Sequence, residues 1–247
     1  MKQAISINGL YKSYGNKKIF SNFNLKIPQE KIVAIFGPNG CGKSTLMSIV
    51  AGIIKSNNGS IDIDYERMSY VFQNYSESLF PWRSNYENVI FPLEIKKFSK
   101  ESINGRFIEI QELFGAMFDW NEYPYNLSGG QRQILAFMRA LITKPKVLLI
   151  DEAFSSLDFE NNLLLREKLQ QYYLFERPTI LMVTHNIEEA IHLAGDIAVF
   201  PKSPVASFKL IENSEIYPRT NEFLASNKFQ DIKNTVLSSF SKFITYE

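Results

Sequence analysis

The stretch KIVAIFGPNGCGKST, Lys31 to Thr45, decides the fold. Its first half is almost continuously apolar, as suits a central parallel strand covered on both faces. Its second half brings Gly37, Gly40 and Gly42 close together and runs into LMSIVAGI, which has helical spacing. Strand, glycine-rich turn and helix in direct succession are the context of a phosphate-binding loop. The glycines let successive N–H groups turn inward, and the helix N-terminus adds a dipole that favours an anion. In that reading Gly37, Pro38, Asn39, Gly40, Cys41 and Gly42 form the cradle and Lys43 reaches the β- and γ-phosphates. Ser44 coordinates Mg²⁺ and Thr45 donates to the α- or β-phosphate, so ATP with Mg²⁺ is the expected ligand pair. The plain alternative is a glycine-rich turn.

Two later stretches repeat the buried-strand pattern: KVLLID, ending at Asp151, and TILMVTH, ending at His185. Ligands of open parallel sheets bind at the carboxyl ends of such strands. The first is followed at once by a second carboxylate, Glu152. Neighbouring side chains on a strand diverge, so the two carboxylates have separate jobs. Asp151 is expected to hold Mg²⁺, and Glu152 to orient and polarise an attacking water as the base. Standing alone, "DE" at a strand end could equally be a solvated loop start. A lone histidine in such a place is often a cap. Beside two phosphate-handling strand ends, His185 is expected to contact the γ-phosphate. Gln73, closing SYVFQ, could complete the arrangement of metal and water. Tyr14 offers a flat face to an adenine, and an ordinary half-buried strand tyrosine fits its spacing equally well.

Around these landmarks the chain changes texture. AISINGL and NFNLKI alternate apolar and polar residues as strands do, with turns expected at Gly15, Asn22 and Pro28. Residues 75 to 140 carry apolar positions at helical spacing. They are expected to form a helical subdomain inserted in an α/β core that comprises residues 1–74 and 141–247. NNLLLREKLQQYYLF and NIEEAIHLA then read as helices, DIAVF as a strand, and the tail near NEFLASNKFQDIKNTVLSSF as helical. The expected fold class is α/β. A phosphate-loop NTPase core with a mainly parallel central sheet carries an antiparallel β subdomain at the N-terminus and the helical insert.

Bulk composition narrows the partners. The 27 Lys and Arg balance 26 Asp and Glu, which gives no electrostatic reason to expect nucleic acid. Cys41 is the single cysteine, so no internal disulfide can form, and the opening residues lack the apolar core of a signal peptide. Both favour the cytosol. No apolar run nears the roughly 18 to 20 residues that span a bilayer, so any membrane role is expected to be peripheral.

A second loop, NLSGGQRQ from Asn126 to Gln133, has paired glycines and a hydroxyl before a helix but no lysine. Ser128, Gly129, Gly130 and Gln131 present N–H groups and a positive helix end, as the first loop does.

Taken in order, GPNGCGKST, VFQ, LSGGQ, VLLIDE, SSLD and VTH resemble the motifs of ATP-binding cassette (ABC) proteins over nearly the whole chain. LSGGQ separates that family from other phosphate-loop ATPases. The resemblance implies a subunit that closes as a dimer around two ATP molecules, with Ser128 and Gly130 of one chain on the γ-phosphate held by Lys43 of the other. It places Tyr14 at the adenine-stacking position, Gln73 at the loop that senses nucleotide and partner, and His185 at the switch histidine. Asp158 falls at the aspartate that reports across the dimer interface.

Finer stretches, among them LFPWRSNYENV and VTHNIEEAIHLAGDIAVFPKSP, look like the ATPase subunits of bacterial nitrate, sulfonate and taurine importers. Ala153, Gln131 and Ile134 depart from common residues of that group. The implied partners are a second copy of the chain, a membrane permease and, indirectly, an extracytoplasmic solute-binding protein, with the chain at the cytoplasmic face of the membrane. The Gln73–Trp82 region is the expected permease contact. Packing of Phe80 and Trp82 inside the helical lobe is the plain alternative.

Competing readings fit less well. A DNA-repair cassette would split its halves with a long coiled coil, and a translation factor of the superfamily would carry two cassettes. A small-molecule kinase has no use for LSGGQ. An exporter ATPase shares the motifs but is usually fused to membrane helices. With so short a tail, the regulatory barrel of some sugar importers is not expected.

Overall fold

In the computed structural model, which describes residues 2–74, 78–115, 118–154 and 158–244, every residue of three strands is buried. They are β3 (Ile32–Phe36), β6 (Val147–Asp151) and β7 (Thr179–Thr184). Their apolar continuity has a geometric reason: alternate side chains enter two different cores. Ile32, Ala34, Leu148, Ile150, Ile180 and Met182 face one core, and Val33, Ile35, Val147, Leu149, Leu181 and Val183 face the other.

The main sheet runs β5-β6-β7-β3-β8-β9, where β5 is Met68–Val71, β8 is Asp196–Val199 and β9 is Lys209–Glu212. All its pairings are parallel except the one between β8 and β9. A second, antiparallel sheet has the order β2-β1-β4, from Lys17–Pro28, Gln3–Tyr14 and Asn58–Ile63. Helix α1 (Lys43–Val50) lies between the sheets and buries Leu46, Met47, Ile49 and Val50 in their shared core.

The expected turn at Asn22 is corrected: Asn22 lies inside β2 with φ 55°. The pairing there jumps from Leu10–Phe23 to Lys12–Phe20, so the left-handed residue accommodates a bulge and not a chain reversal. Gly15, by contrast, sits between β1 and β2 with φ 55°, as a hairpin requires. The edge strand β9 had no expectation attached to it.

Helices cover the other face of the main sheet. Between Asn85 and Leu141 come α2 (Asn85–Ile95), α3 (Lys100–Phe114) and α4 (Gly129–Leu141). After β6 come α5 (Phe159–Glu176), α6 (Ile187–Leu193), α7 (Asn221–Leu224) and α8 (Asn227–Ile244). The helical stripe read in residues 100–114 is the one that packs, with Ile103, Phe107, Ile110 and Phe114 buried. α2 starts on a reciprocal cap in which Ser84 and Glu87 satisfy each other's backbone N–H groups.

The tail is tied to α6 by a buried arginine. The Arg219 guanidinium donates to the carbonyls of Ile191 (2.7 Å), Ala194 (2.8 Å) and Glu215 (3.0 Å). It therefore takes up carbonyls that the end of α6 leaves unpaired. His192, fully buried, donates Nε2–H to the Arg219 carbonyl at 2.7 Å. Burial holds its pKa down to about 4, against an ordinary value of 6.5.

The sign of the consequence follows. His192 stays neutral in the folded chain while its unfolded counterpart takes a proton below about 6.5, so its contribution is intact above that pH and is lost as pH falls to about 4. The full loss is on the order of 3 kcal/mol. Denaturant unfolding between pH 7 and 4 should show this decline and His192→Gln should flatten it; an equal slope in both proteins would assign acid sensitivity elsewhere.

Candidate nucleotide site

β7 lies between β3 and β6, so three strand ends with chemistry at their tips stand side by side. Adjacent strands are about 4.8 Å apart, which brings the loop after β3, Asp151 on β6 and His185 after β7 within side-chain reach. Asp151 Oδ1 accepts from Ser44 Oγ (3.2 Å), and Oδ2 accepts from the Tyr70 hydroxyl (2.9 Å). Glu152 Oε2 accepts from Gln73 Nε2 (3.3 Å) and lies 3.1 Å from His185 Nδ1, while Oε1 is 3.7 Å from Lys43 Nζ. The two carboxylates have different partners: Asp151 meets the hydroxyls and Glu152 meets the amide, imidazole and ammonium.

Glu152 reaches those partners because its backbone leaves the strand. Its φ is 47°, uncommon for a residue with a side chain, and its N–H still donates to the Val183 carbonyl at 3.0 Å. The sheet thus pins the backbone while the left-handed turn aims the carboxylate at the loop.

The loop itself is an uncapped helix end. α2, α4, α5 and α6 each have a side chain accepting from their first turn, from Ser84, Ser128, Asp158 and Asn186. α1 starts at Gly42 with no side-chain cap, so its first N–H groups are available to an anion. Lys43 folds back over the loop and donates to the carbonyls of Gly37 (3.0 Å) and Pro38 (3.2 Å). Gly42 and Lys43 line a cleft of about 290 Å³ with Tyr14, Lys17, Ile19, Asn39, Gly40, Ser44, Thr45 and Glu152. Tyr14 is half-exposed, with the Lys12 ammonium 4.8 Å from its ring centre. Cys41 differs: its side chain is buried and burial pushes its thiol pKa up, which leaves only its backbone to face a ligand.

Ser44 and Asp151 also test the expected Mg²⁺. One hydroxyl and one carboxylate, both hard oxygen donors, leave most of an octahedral shell to phosphates and water, which is how Mg²⁺ is usually held. Burial raises the Asp151 pKa, opposed by the hydrogen bonds from Tyr70 and Ser44. A cation there would relieve the cost of that buried charge. The residues fit the ion.

Among the described residues, Ser128, Gly129, Gly130, Gln131 and Asp158 do not line the cleft. Ser128 and Gln131 close a reciprocal cap on α4, with Ser128 Oγ accepting from Gln131 N (3.3 Å) and Gln131 Oε1 from Ser128 N (2.9 Å). That box leaves the N–H groups of Gly129 and Gly130 to other partners. Asp158 caps α5, and its bonds from Asn161 hold the exposed carboxyl below the usual range. Ser155, Ser156 and Leu157 of the SSLD motif lie outside the described residues. Sequence reasoning missed Tyr70, Lys17 and Ile19. Tyr70 was within reach, since it lies on β5 three residues before Gln73, but its bond to Asp151 needs the β5–β6 pairing.

The ABC transporter family model matches residues 20–155. The chain belongs to the ABC transporter family. Its ABC cassette is an ATPase module, so nucleotide is the ligand that membership implies. It is 36% identical to the aliphatic sulfonates import ATP-binding protein SsuB of Bacillus cereus, over 96% of each chain. It is 37% identical to the spermidine/putrescine import ATP-binding protein PotA of Haemophilus influenzae, over 83% of this chain and 57% of that one. Among solved structures, the dimeric post-hydrolysis state of the ATP-binding cassette MJ0796 bound to ADP and Pi superposes with TM-score 0.75. That match has 27% identity and covers 86% of this chain and all of that one.

The tightest point of the ABC loop is Gly42, at φ 111°, where an added Cβ would sit 2.4 Å from Ile19 Cγ2. Gly40 also has positive φ, 76°, but open space around it. Gly42→Ala should therefore cost about 2 kcal/mol or more and weaken nucleotide binding, and Gly40→Ala only the left-handed cost of about 1 kcal/mol. Thermal melts and ATP titration compare them; equal effects would remove the role assigned to Ile19.

Proposed function

We propose that this chain is the ATP-binding and ATP-hydrolysing subunit of a bacterial ABC importer, which takes up a small solute of the nitrate, sulfonate or taurine kind through a membrane permease. The observation that carries this is the near-full-length similarity to a sulfonate import ATP-binding protein, joined to the meeting of Lys43, Ser44, Asp151, Glu152 and His185 at one sheet edge. Residues 1–74 and 141–247 form the nucleotide-binding core and 75–140 the helical subdomain that moves with the partner. The working unit is a homodimer with two ATP molecules between its subunits, at the cytoplasmic face of the membrane.

In this reading the phosphates sit on the uncapped end of α1. Lys43 exchanges its loop carbonyls for β- and γ-phosphate oxygens, Thr45 donates to the α- or β-phosphate, and Tyr14 stacks on the adenine. Ser44 and Asp151, with Gln73 completing the set, hold Mg²⁺, which when bound offsets the charge of the phosphates. Glu152 takes the proton of the water that attacks the γ-phosphorus as the bond to the leaving ADP breaks, and His185, oriented by Glu152, contacts the γ-phosphate. Ser128 and Gly130 of the second subunit close the site, and Asp158 reports its state across the interface.

The permease contact is proposed for the Gln73–Trp82 region. Leu79 is buried, Phe80 packs against Phe91 with ring centres 4.7 Å apart, and Trp82 stays 72% exposed. Asn88 anchors the turn by donating to the carbonyls of Phe80 and Arg83, each at 3.0 Å. An exposed indole on a braced turn suits a groove that receives a helix. An extracytoplasmic binding protein would deliver the solute to that permease, and nucleic acid has no part.

Purified Lys43→Ala should lose ATP binding and turnover together. Glu152→Gln should keep binding, lose turnover by about 100-fold or more and collect as an ATP-bound dimer on size exclusion; normal hydrolysis would remove Glu152 as the base. Ser128→Arg should bind ATP normally yet stay monomeric with it, and a Ser128→Arg dimer with full turnover would move the second loop out of the interface. Trp82→Ala should weaken capture of permease-containing membranes and leave ATP binding unchanged; equal loss of both would place Trp82 in the fold and not in the contact.

A further inference from the structure

Glu189 is a carboxylate only 1% exposed, with no place in the chemistry described above. It lies one turn into α6, which starts directly after His185. Oε2 accepts from Thr184 Oγ1 at 2.6 Å, and Oε1 accepts from Asn162 Nδ2 at 3.4 Å. The two donors belong to different elements, β7 and α5. Thr184 ends β7 immediately before His185, and its hydroxyl also accepts from Asn186 N at 2.9 Å, so it braces the chain on both sides of the histidine. Asn162 lies on α5 one turn beyond its cap Asp158; its N–H donates to the Asp158 carbonyl (3.0 Å) and its amide to the Phe154 carbonyl (2.8 Å). The Phe154 carbonyl belongs to the short segment that follows Glu152.

Burying a carboxylate is costly unless it is compensated, and two hydrogen bonds are a minimal set. The Arg166 guanidinium, 5% exposed, donates Nε–H to the Asn162 carbonyl (3.4 Å) and adds the opposite charge. Burial lowers the Arg166 pKa, and Glu189 and Glu188 counter that. Replacing the carboxylate by an amide would leave one acceptor oxygen where there were two, so the Thr184 hydroxyl or the Asn162 amide loses its Glu189 acceptor, and Arg166 loses its counter-charge.

We propose that Glu189 is a positioning residue that couples the His185 loop to the α5 cap at Asp158 and to the segment after Glu152, through Thr184 and Asn162. Its carboxylate is buried and lies outside the residues that line the cleft. Its action is to hold the imidazole in register with the Glu152 carboxylate and to pass displacement of one interface loop to the other. This rests on the proposed role of His185 in turnover, and the test separates the two.

Steady-state ATPase of the full chain should be measured for Glu189→Gln, Thr184→Val, His185→Ala and Glu189→Gln/His185→Ala, with thermal melts alongside. Glu189→Gln should lower kcat about tenfold with KM for ATP within about twofold, and the double variant should be no slower than His185→Ala alone, because both changes act through one group. Thr184→Val keeps the side-chain volume and cuts only the His185 arm; it should reproduce the kcat loss, and it carries the test if Glu189→Gln fails to fold. Unchanged kcat in the folded single variants, or a double variant slower than His185→Ala by the full Glu189→Gln factor, would overturn the coupling. Wild-type turnover in His185→Ala would instead overturn the role of His185 itself.

Discussion

The close approach of Gly42 to Ile19 is the constraint on which the rest of the molecule depends. At this point the antiparallel sheet, the phosphate loop and α1 meet with no room for a single carbon. The contact fixes the direction in which α1 leaves the loop, and so aims an uncapped helix end into the cleft. It also seats the outer sheet over α1, whose Leu46, Met47 and Val50 complete a core that neither sheet could close by itself. A side chain at Gly42 would have to displace the Ile19 side chain or shift the loop itself.

The strand order then converts that seat into a site. With β7 between β3 and β6, the groups proposed to bind phosphate and those proposed to activate water share one edge of the sheet. Burial sharpens the division of labour there. Asp151 is held among hydroxyls in a setting that raises the energy of its charge, whereas Glu152 is swung out by a left-handed backbone toward Lys43, Gln73 and His185. Two adjacent carboxylates of nearly the same intrinsic acidity thus face different partners because one is in the strand and the other has left it.

The helix caps carry a related contrast. Helices α2 to α6 each fill their first turn with a capping side chain, whereas α1, the proposed phosphate end, and the single-turn α7 have none. The signature helix is intermediate: its serine and glutamine satisfy each other, and the glycine N–H groups between them do not take part in that exchange. One chain therefore holds a complete phosphate loop and, elsewhere on its surface, a second helix end whose glycines remain to be met.

The core strands, the phosphate loop and the acidic pair were legible in the sequence because local pattern dictates them. A strand buried on both faces must be apolar throughout, and a helix end that holds an anion must start from glycine. The bulge at Asn22, the edge strand β9 and the bond from Tyr70 to Asp151 were not legible, since each depends on which strand lies alongside. The same is true of Glu188 and Glu189, which read alike as neighbours on a helix. Tertiary packing pairs Glu188 with Lys233 at the surface and buries Glu189 among Thr184, Asn162 and Arg166. By itself the sequence determined which residues can do phosphate chemistry, because short-range backbone geometry selects glycine, lysine and strand-end acids. Only the tertiary structure decided how they are held, because burial and partnership belong to elements far apart along the chain.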